Sequence, residues 1–218
     1  MNVAFLRHGP TEWNALGRMQ GRFDAPLSVA GRREIAAWTI PAAVAHGAQW
    51  ISSPLSRAVE TALQLSGTPP ALAPALTEMD WGAWEGYTHD ELRERFGDEF
   101  TRNAARGLDF RPPGGESPRD VVVRVARWLE SVAKSTQPLV CVTHNGVLGA
   151  LVALATGWDM IGKPPIRLQP ATLHRFTVAP GPTLVVAECN VALATPLHTD
   201  ATGEPPCPPP RAPSATLP

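Results

Sequence analysis

Short apolar runs, "VAFL" at 3–6, "QWIS" at 49–52 and "PLVCVT" at 138–143, are each followed by a longer amphipathic stretch, and that alternation leaves few folds open. A run that is apolar on both faces must be covered on both, which is the situation of a mostly parallel sheet flanked by helices. The spacing predicts helices over 28–46, interrupted by Pro41, over 54–66, opened by Pro54, over 117–134 and over 146–156. The third has a clear start. Ser117 supplies an N-cap, Pro118 the first helical position and Asp120 the acid that reaches back to the cap, with Val121, Val125, Trp128, Leu129 and Val132 on the inner face. "LHRFTV" at 173–178 and "TLVVAEC" at 183–189 read as a late hairpin around Pro180, Gly181 and Pro182. Residues 88–115 break the rhythm with "DELRERFGDEF" and then "RPPGGES", and are expected to form a short helix plus a loop over the domain. No internal repeat is visible.

At 218 residues and 44% apolar content the chain is long enough for one sizeable core, so residues 1–195 are expected to form a single α/β domain. Residues 196–218 hold eight of the 24 prolines and almost no large apolar side chain, and are expected to be a Pro-rich, disordered tail. A formal charge of −1 gives no global field to draw nucleic acid or an acidic membrane, so attraction of an anion must come from a local cluster. Cys141, Cys189 and Cys207 are odd in number and widely spaced, which suits reduced thiols. The longest apolar run, "VLGALVALATGW", falls short of the ~20 residues of a membrane span, and no leader-like N-terminus is seen. A cytoplasmic protein without nucleic-acid or membrane partners is expected, either monomer or homodimer.

The predicted strands share an oddity at their ends. "VAFL" runs into Arg7 and His8, "QWISSPLS" into Arg57, and "PLVCVT" into His144, Asn145 and Gly146. In open α/β sheets ligands bind beyond the carboxyl ends of the strands, where helix N-termini also present unpaired N–H groups. Two guanidiniums and two imidazoles gathered at such a point repel one another unless an anion sits between them, and phosphate suits that role. An Arg and His site of this kind needs no metal.

Taken together, "RHGPTEWN", "RMQGRFDAPLSVAGRREI", "SSPLSRAVETA", "LTEMDWGAWEG", "GES" and "VTHNGVL" resemble, in order and spacing, the histidine phosphatase superfamily, the group that contains cofactor-dependent phosphoglycerate mutase. The resemblance extends over most of residues 3–190. It implies a three-layer α/β/α sandwich and phosphoryl transfer through a phosphohistidine, with no cofactor. By the same resemblance His8 is the nucleophile, Arg7, Arg57 and His144 hold the phosphoryl group, Glu78 is the proton donor, and Asn14, Gln20 and Gly21 contact phosphate or substrate. Asn145 and Gly146 follow the second His, with backbone amides available to a phosphate. Glu85 in "WGAWEG" is the alternative acid. Pro10 stands where the family often has Glu, a position peripheral to the transfer. His46, His89, His174 and His198 match no motif and read as structural or surface residues.

The cover between Glu78 and His144 is shorter than in the phosphoglycerate mutases resembled here, so water is expected to reach the site. Hydrolysis of a small phosphomonoester is therefore the first reading. A mutase is the runner-up, and a phosphate-binding regulatory module without turnover is the reading from another class. Trp81, Trp84 and the arginines at 93, 95, 102, 106 and 111 are candidates for shaping the leaving-group pocket, although "DELRERF" reads more simply as a solvated helix face.

Overall fold

The computed structural model describes residues 1–179 and 183–193. The turn of the late hairpin and the expected tail lie outside them. Six strands, β1 (Asn2–Arg7), β2 (Gln49–Ser52), β3 (Ala71–Leu72), β4 (Leu139–Thr143), β5 (Thr172–Ala179) and β6 (Thr183–Ala192), form one sheet in the order β3-β2-β4-β1-β5-β6. The first four are mutually parallel, β5 runs antiparallel to β1, and β6 runs antiparallel to β5. The described helices are α1 (Glu12–Ala15), α2 (Val29–Ala36), α3 (Ala42–Ala45), α4 (Ser56–Ser66), α5 (His89–Ala104), α6 (Pro118–Val132) and α7 (Asn145–Thr156).

Strand alternation divides the core into two halves. Val3, Phe5, Leu139 and Cys141 face one side and pack with Val121, Val125 and Leu129 of α6 and with Val147 and Leu151 of α7. Ala4, Leu6, Val140 and Val142 face the other, against Ile35 of α2 and Ala58 and Ala62 of α4. The expected three-layer sandwich follows from this. Every residue of β4 is buried, because β1 and β2 flank it and helices cover both faces.

Three elements differ from the sequence reading. The expected helix over 28–46 stops at Ala36 and resumes only for one turn after Pro41, since the Thr39 amide bonds the Leu193 carbonyl at 2.6 Å and proline bars helical backbone before it. Pro54 precedes α4, and Leu55 takes the N-cap position. The segment 88–115 contains a longer helix than expected: α5 runs sixteen residues, broken at Gly97, whose φ of 48° is left-handed. Helix α6 begins as predicted, with Ser117 and Asp120 bonding each other's backbone in a capping box.

Candidate active site

Because β4 lies between β1 and β2, the carboxyl ends of the three strands sit side by side, with Arg7 paired to Thr143 and Ser52 to Val142. His8 follows directly, its amide donating to the Thr143 carbonyl at 2.9 Å, so the strand ladder fixes its backbone. The side chain is fixed too. Nδ1 lies 2.7 Å from the Gly9 carbonyl, which can only accept, so the proton is on Nδ1 and Nε2 carries the free lone pair. Gly9 is held in turn: its N–H donates to Thr61 Oγ1 at 3.0 Å, and Thr61 donates to the Arg57 carbonyl at 2.7 Å. His8 is only 5% exposed, and burial, followed by the charges of Arg7 and Arg57, pushes its pKa well below the ordinary imidazole value. It is neutral at pH 7.

Arg57, in the first turn of α4 and 1% exposed, donates to the carbonyls of Phe23 at 2.8 Å and Gly21 at 2.9 Å. Its Nε has no partner, and neither does the Nε of Arg7. His144 caps α7, is wholly buried, and has Nε2 2.7 Å from Ser53 Oγ while Nδ1 is unpaired. Its ring centroid is 5.1 Å from that of His8. Of the five buried polar atoms without a partner among the described residues, three therefore belong to this cluster. Each such orphan costs roughly 1–3 kcal/mol, and an anion with several acceptor oxygens would satisfy them together.

Glu78 reaches the same point from the loop after the 3-10 turn at Pro74–Leu76. Its Oε1 accepts from the Met79 amide at 2.8 Å and the Gly146 amide at 3.1 Å. Burial raises its pKa, against those two bonds and the charges of Arg7 and Arg57, which lower it. The result is a carboxyl that holds a proton more readily than an exposed one and that sits beside the cations which stabilise its anion. Such a group can both give and take a proton. Its loop is braced from behind, where Arg124 donates to the Glu78 carbonyl at 3.3 Å and forms a double hydrogen bond with Glu116 at 3.1 Å.

A cleft of about 620 Å³ opens over these groups. Arg7, His8, Arg57, Glu78, Asn14, Gln20, Gly21, Asn145 and Gly146 all line it, and the fully buried His144 ring adjoins that of His8. The Thr11 hydroxyl stands 3.1 Å from Asn14 Oδ1 and 3.0 Å from Gln20 Oε1, which leaves both side-chain amide nitrogens as donors. Gly21 has a φ of 54°, and a Cβ there would fall 2.0 Å from Glu85 Oε1. Glu85 itself accepts from the amides of Arg22 at 2.6 Å and Phe23 at 3.1 Å, so it anchors the 21–23 loop and takes no place on the cleft wall. The Gly146 amide is engaged by Glu78 and so serves the acid first.

The sequence profile of the histidine phosphatase superfamily (branch 1) matches residues 3–190. The chain belongs to this superfamily. This histidine phosphatase is 35% identical over 179 residues to a glucosyl-3-phosphoglycerate phosphatase of Mycolicibacterium vanbaalenii, a match covering 73% of this chain and 78% of the relative. It is 31% identical over 194 residues to a probable phosphoglycerate mutase of Enterobacter sp., covering 84% and 88%. Among solved structures it resembles a mycobacterial glucosyl-3-phosphoglycerate phosphatase bound to VO3, with a TM-score of 0.74 and 26% identity over 87% of this chain and 98% of that one.

The far wall of the histidine phosphatase cleft was less legible. His89, read as structural or surface, lines it together with Phe100, Phe110, Trp158 and Met160. No motif marks these residues, and they meet only because α5 and the turn after α7 fold over the strand ends. Trp81 is on the cleft, but Trp84 is in the core, 1% exposed against Phe96, Phe100 and Phe110. The arginines at 93, 95, 102, 106 and 111 line no part of it. Arg93 pairs with Asp90, and Arg111 with Asp120.

Proposed function

We propose that this histidine phosphatase hydrolyses a small phosphomonoester in two steps through His8. In the first, His8 Nε2 attacks phosphorus, the P–N bond forms as the ester P–O bond breaks, and Glu78 gives its proton to the departing alcohol oxygen. In the second, the Glu78 carboxylate takes a proton from water, the water oxygen attacks phosphorus, and the P–N bond breaks to free inorganic phosphate and neutral His8. Arg7, Arg57 and His144 hold the equatorial oxygens as charge moves between attacking and leaving atoms. Asn14, Gln20 and Asn145 orient the ester.

One observation carries this reading: Nδ1 of His8 is committed to the Gly9 carbonyl, so the neutral ring presents Nε2 beside the guanidiniums of Arg7 and Arg57, whose buried Nε groups are unpaired. The free thiols Cys141 and Cys189 support a reducing, cytoplasmic setting. Because the cations needed for the transferring group are side chains, phosphate release from an aryl phosphate should persist in excess EDTA. Loss that only Mg²⁺, Mn²⁺ or Zn²⁺ restores would contradict the mechanism. The likeness to a probable phosphoglycerate mutase favours a second reading, in which the phosphoryl group returns to an alcohol. Interconversion of 2- and 3-phosphoglycerate without phosphate release would select it.

A further inference from the structure

The half of the cleft that receives the leaving group is walled by aromatic and sulfur side chains. Trp81 lies 5.5 Å from Phe110 and 6.3 Å from His89, centroid to centroid, and His89 lies 6.0 Å from Phe100. Trp158 and Met160 complete this wall from the turn after α7. That turn is tied to the cover by the Leu108 amide, which donates to the Asp159 carbonyl at 2.8 Å. The Trp158 indole N–H is spent on the Ile161 carbonyl at 3.2 Å, so its ring is what a ligand meets.

Charge is scarce there. Apart from Arg7, Arg57 and Glu78, the only Arg, Lys, Asp or Glu among the described residues lining the cleft is Arg18, whose guanidinium bonds the Gly86 carbonyl and pairs with Glu91 at 3.5 Å. The His89 side chain makes no hydrogen bond among the described residues, its ring packing against Trp81 and Phe100. Partial burial, then the charge of Arg93, lowers its pKa, so it meets the ligand as a neutral donor and acceptor. A leaving group with its own carboxylate, such as glycerate or serine, would lose hydration against this wall, and the one further cation on the cleft, Arg18, is already paired with Glu91.

We propose that the preferred leaving group is an uncharged alcohol with a ring or other flat apolar face, packed against Trp81, Phe110 and Trp158, with His89 bonding a neutral polar atom at its edge. The inference rests on the hydrolase reading and assigns a substrate class that differs from the phosphoglycerate-type esters named for the relatives. It is tested with the full chain and two esters of primary alcohols, 2-phenylethyl phosphate and 3-phosphoglycerate, so that leaving-group basicity is nearly matched. Phosphate release should give a kcat/KM at least about tenfold higher for the phenylethyl ester, mainly through KM, because aromatic contacts of this kind and the burial of the ring favour it alone. Trp158→Ala should shrink that ratio severalfold, and Trp158→Phe should retain most of it. Equal or better turnover of 3-phosphoglycerate by the wild type would overturn this inference while leaving the hydrolase reading intact. Hydrolysis of neither ester would overturn both.

Discussion

Two titratable side chains of this site are pushed in opposite directions by the same burial: the imidazole of His8 loses its proton more easily and the carboxyl of Glu78 holds it more firmly. Both shifts suit the roles proposed, since the nucleophile must be neutral and the donor protonated when the ester arrives. For alkyl esters, which need the proton, kcat/KM should fall as pH rises through the raised Glu78 pKa, while an aryl phosphate should lack that limb. Glu78→Gln should lower kcat/KM for an alkyl ester by about 10²–10⁴-fold and spare kcat/KM for the aryl ester, because that ratio reports only transfer to His8 and not the shared hydrolysis step. Equal losses on both would remove Glu78 from the acid role. The same shift has a stability consequence. A carboxyl whose folded pKa is raised stabilises the fold below its unfolded value and loses that contribution as pH climbs through the folded one. Glu78→Gln, which mimics the protonated form, should therefore melt no lower than wild type at about pH 8, with the two curves converging at about pH 4. Arg7, His8, Arg57 and His144 stood out in the sequence because they follow predicted strands, where a cation or imidazole needs a reason to be, whereas Glu78 was marked only by the family resemblance. His89 and Trp158 interrupt nothing, and only the folded chain shows what they face.

At the scale of elements, the site depends on where strands end and helices begin. The start of α7 does two tasks at once, since it sets His144 at the N-cap position beside His8 and its Gly146 amide holds Glu78. A Cβ on Gly146 would come within 2.4 Å of Glu78 Oε1 and 3.2 Å of the Met79 Cβ, so Gly146→Ala must push the carboxyl away. Its expected phenotype is that of an acid mutant, with kcat/KM for alkyl esters lowered at least about tenfold more than for aryl esters and the fold retained, as read by initial rates and circular dichroism. A uniform loss of kcat/KM on both substrates would mean that Gly146 serves the phosphoryl group directly. Strands β1, β2 and β4 and helix α6 were legible because buried β-branched runs and a complete capping box are local signals. The two-residue β3 and the stop of α2 at Ala36 were not, because the first is defined only by its pairing with β2 and the second by a bond to Leu193, far along the chain.

For the molecule as a whole, one sheet with helices on both faces brings three distant segments to a single edge, where strand pairing sets the register of cations and nucleophile. Every group assigned to the chemistry lies between Arg7 and Gly146, so deleting residues 196–218 should leave kcat, KM and melting temperature almost unchanged. A marked fall in any of them would give that segment a part in the site or the fold. The central claim, covalent transfer to His8, is tested most directly by a rapid quench of the full chain with a ³²P-labelled ester. The wild type should carry label that is labile to acid and stable to base, as a phosphohistidine is, and His8→Ala should carry none and release no phosphate. Label that persists in His8→Ala, or steady turnover by that variant, would contradict the mechanism and leave the strand-end cluster as a phosphate-binding site without covalent chemistry.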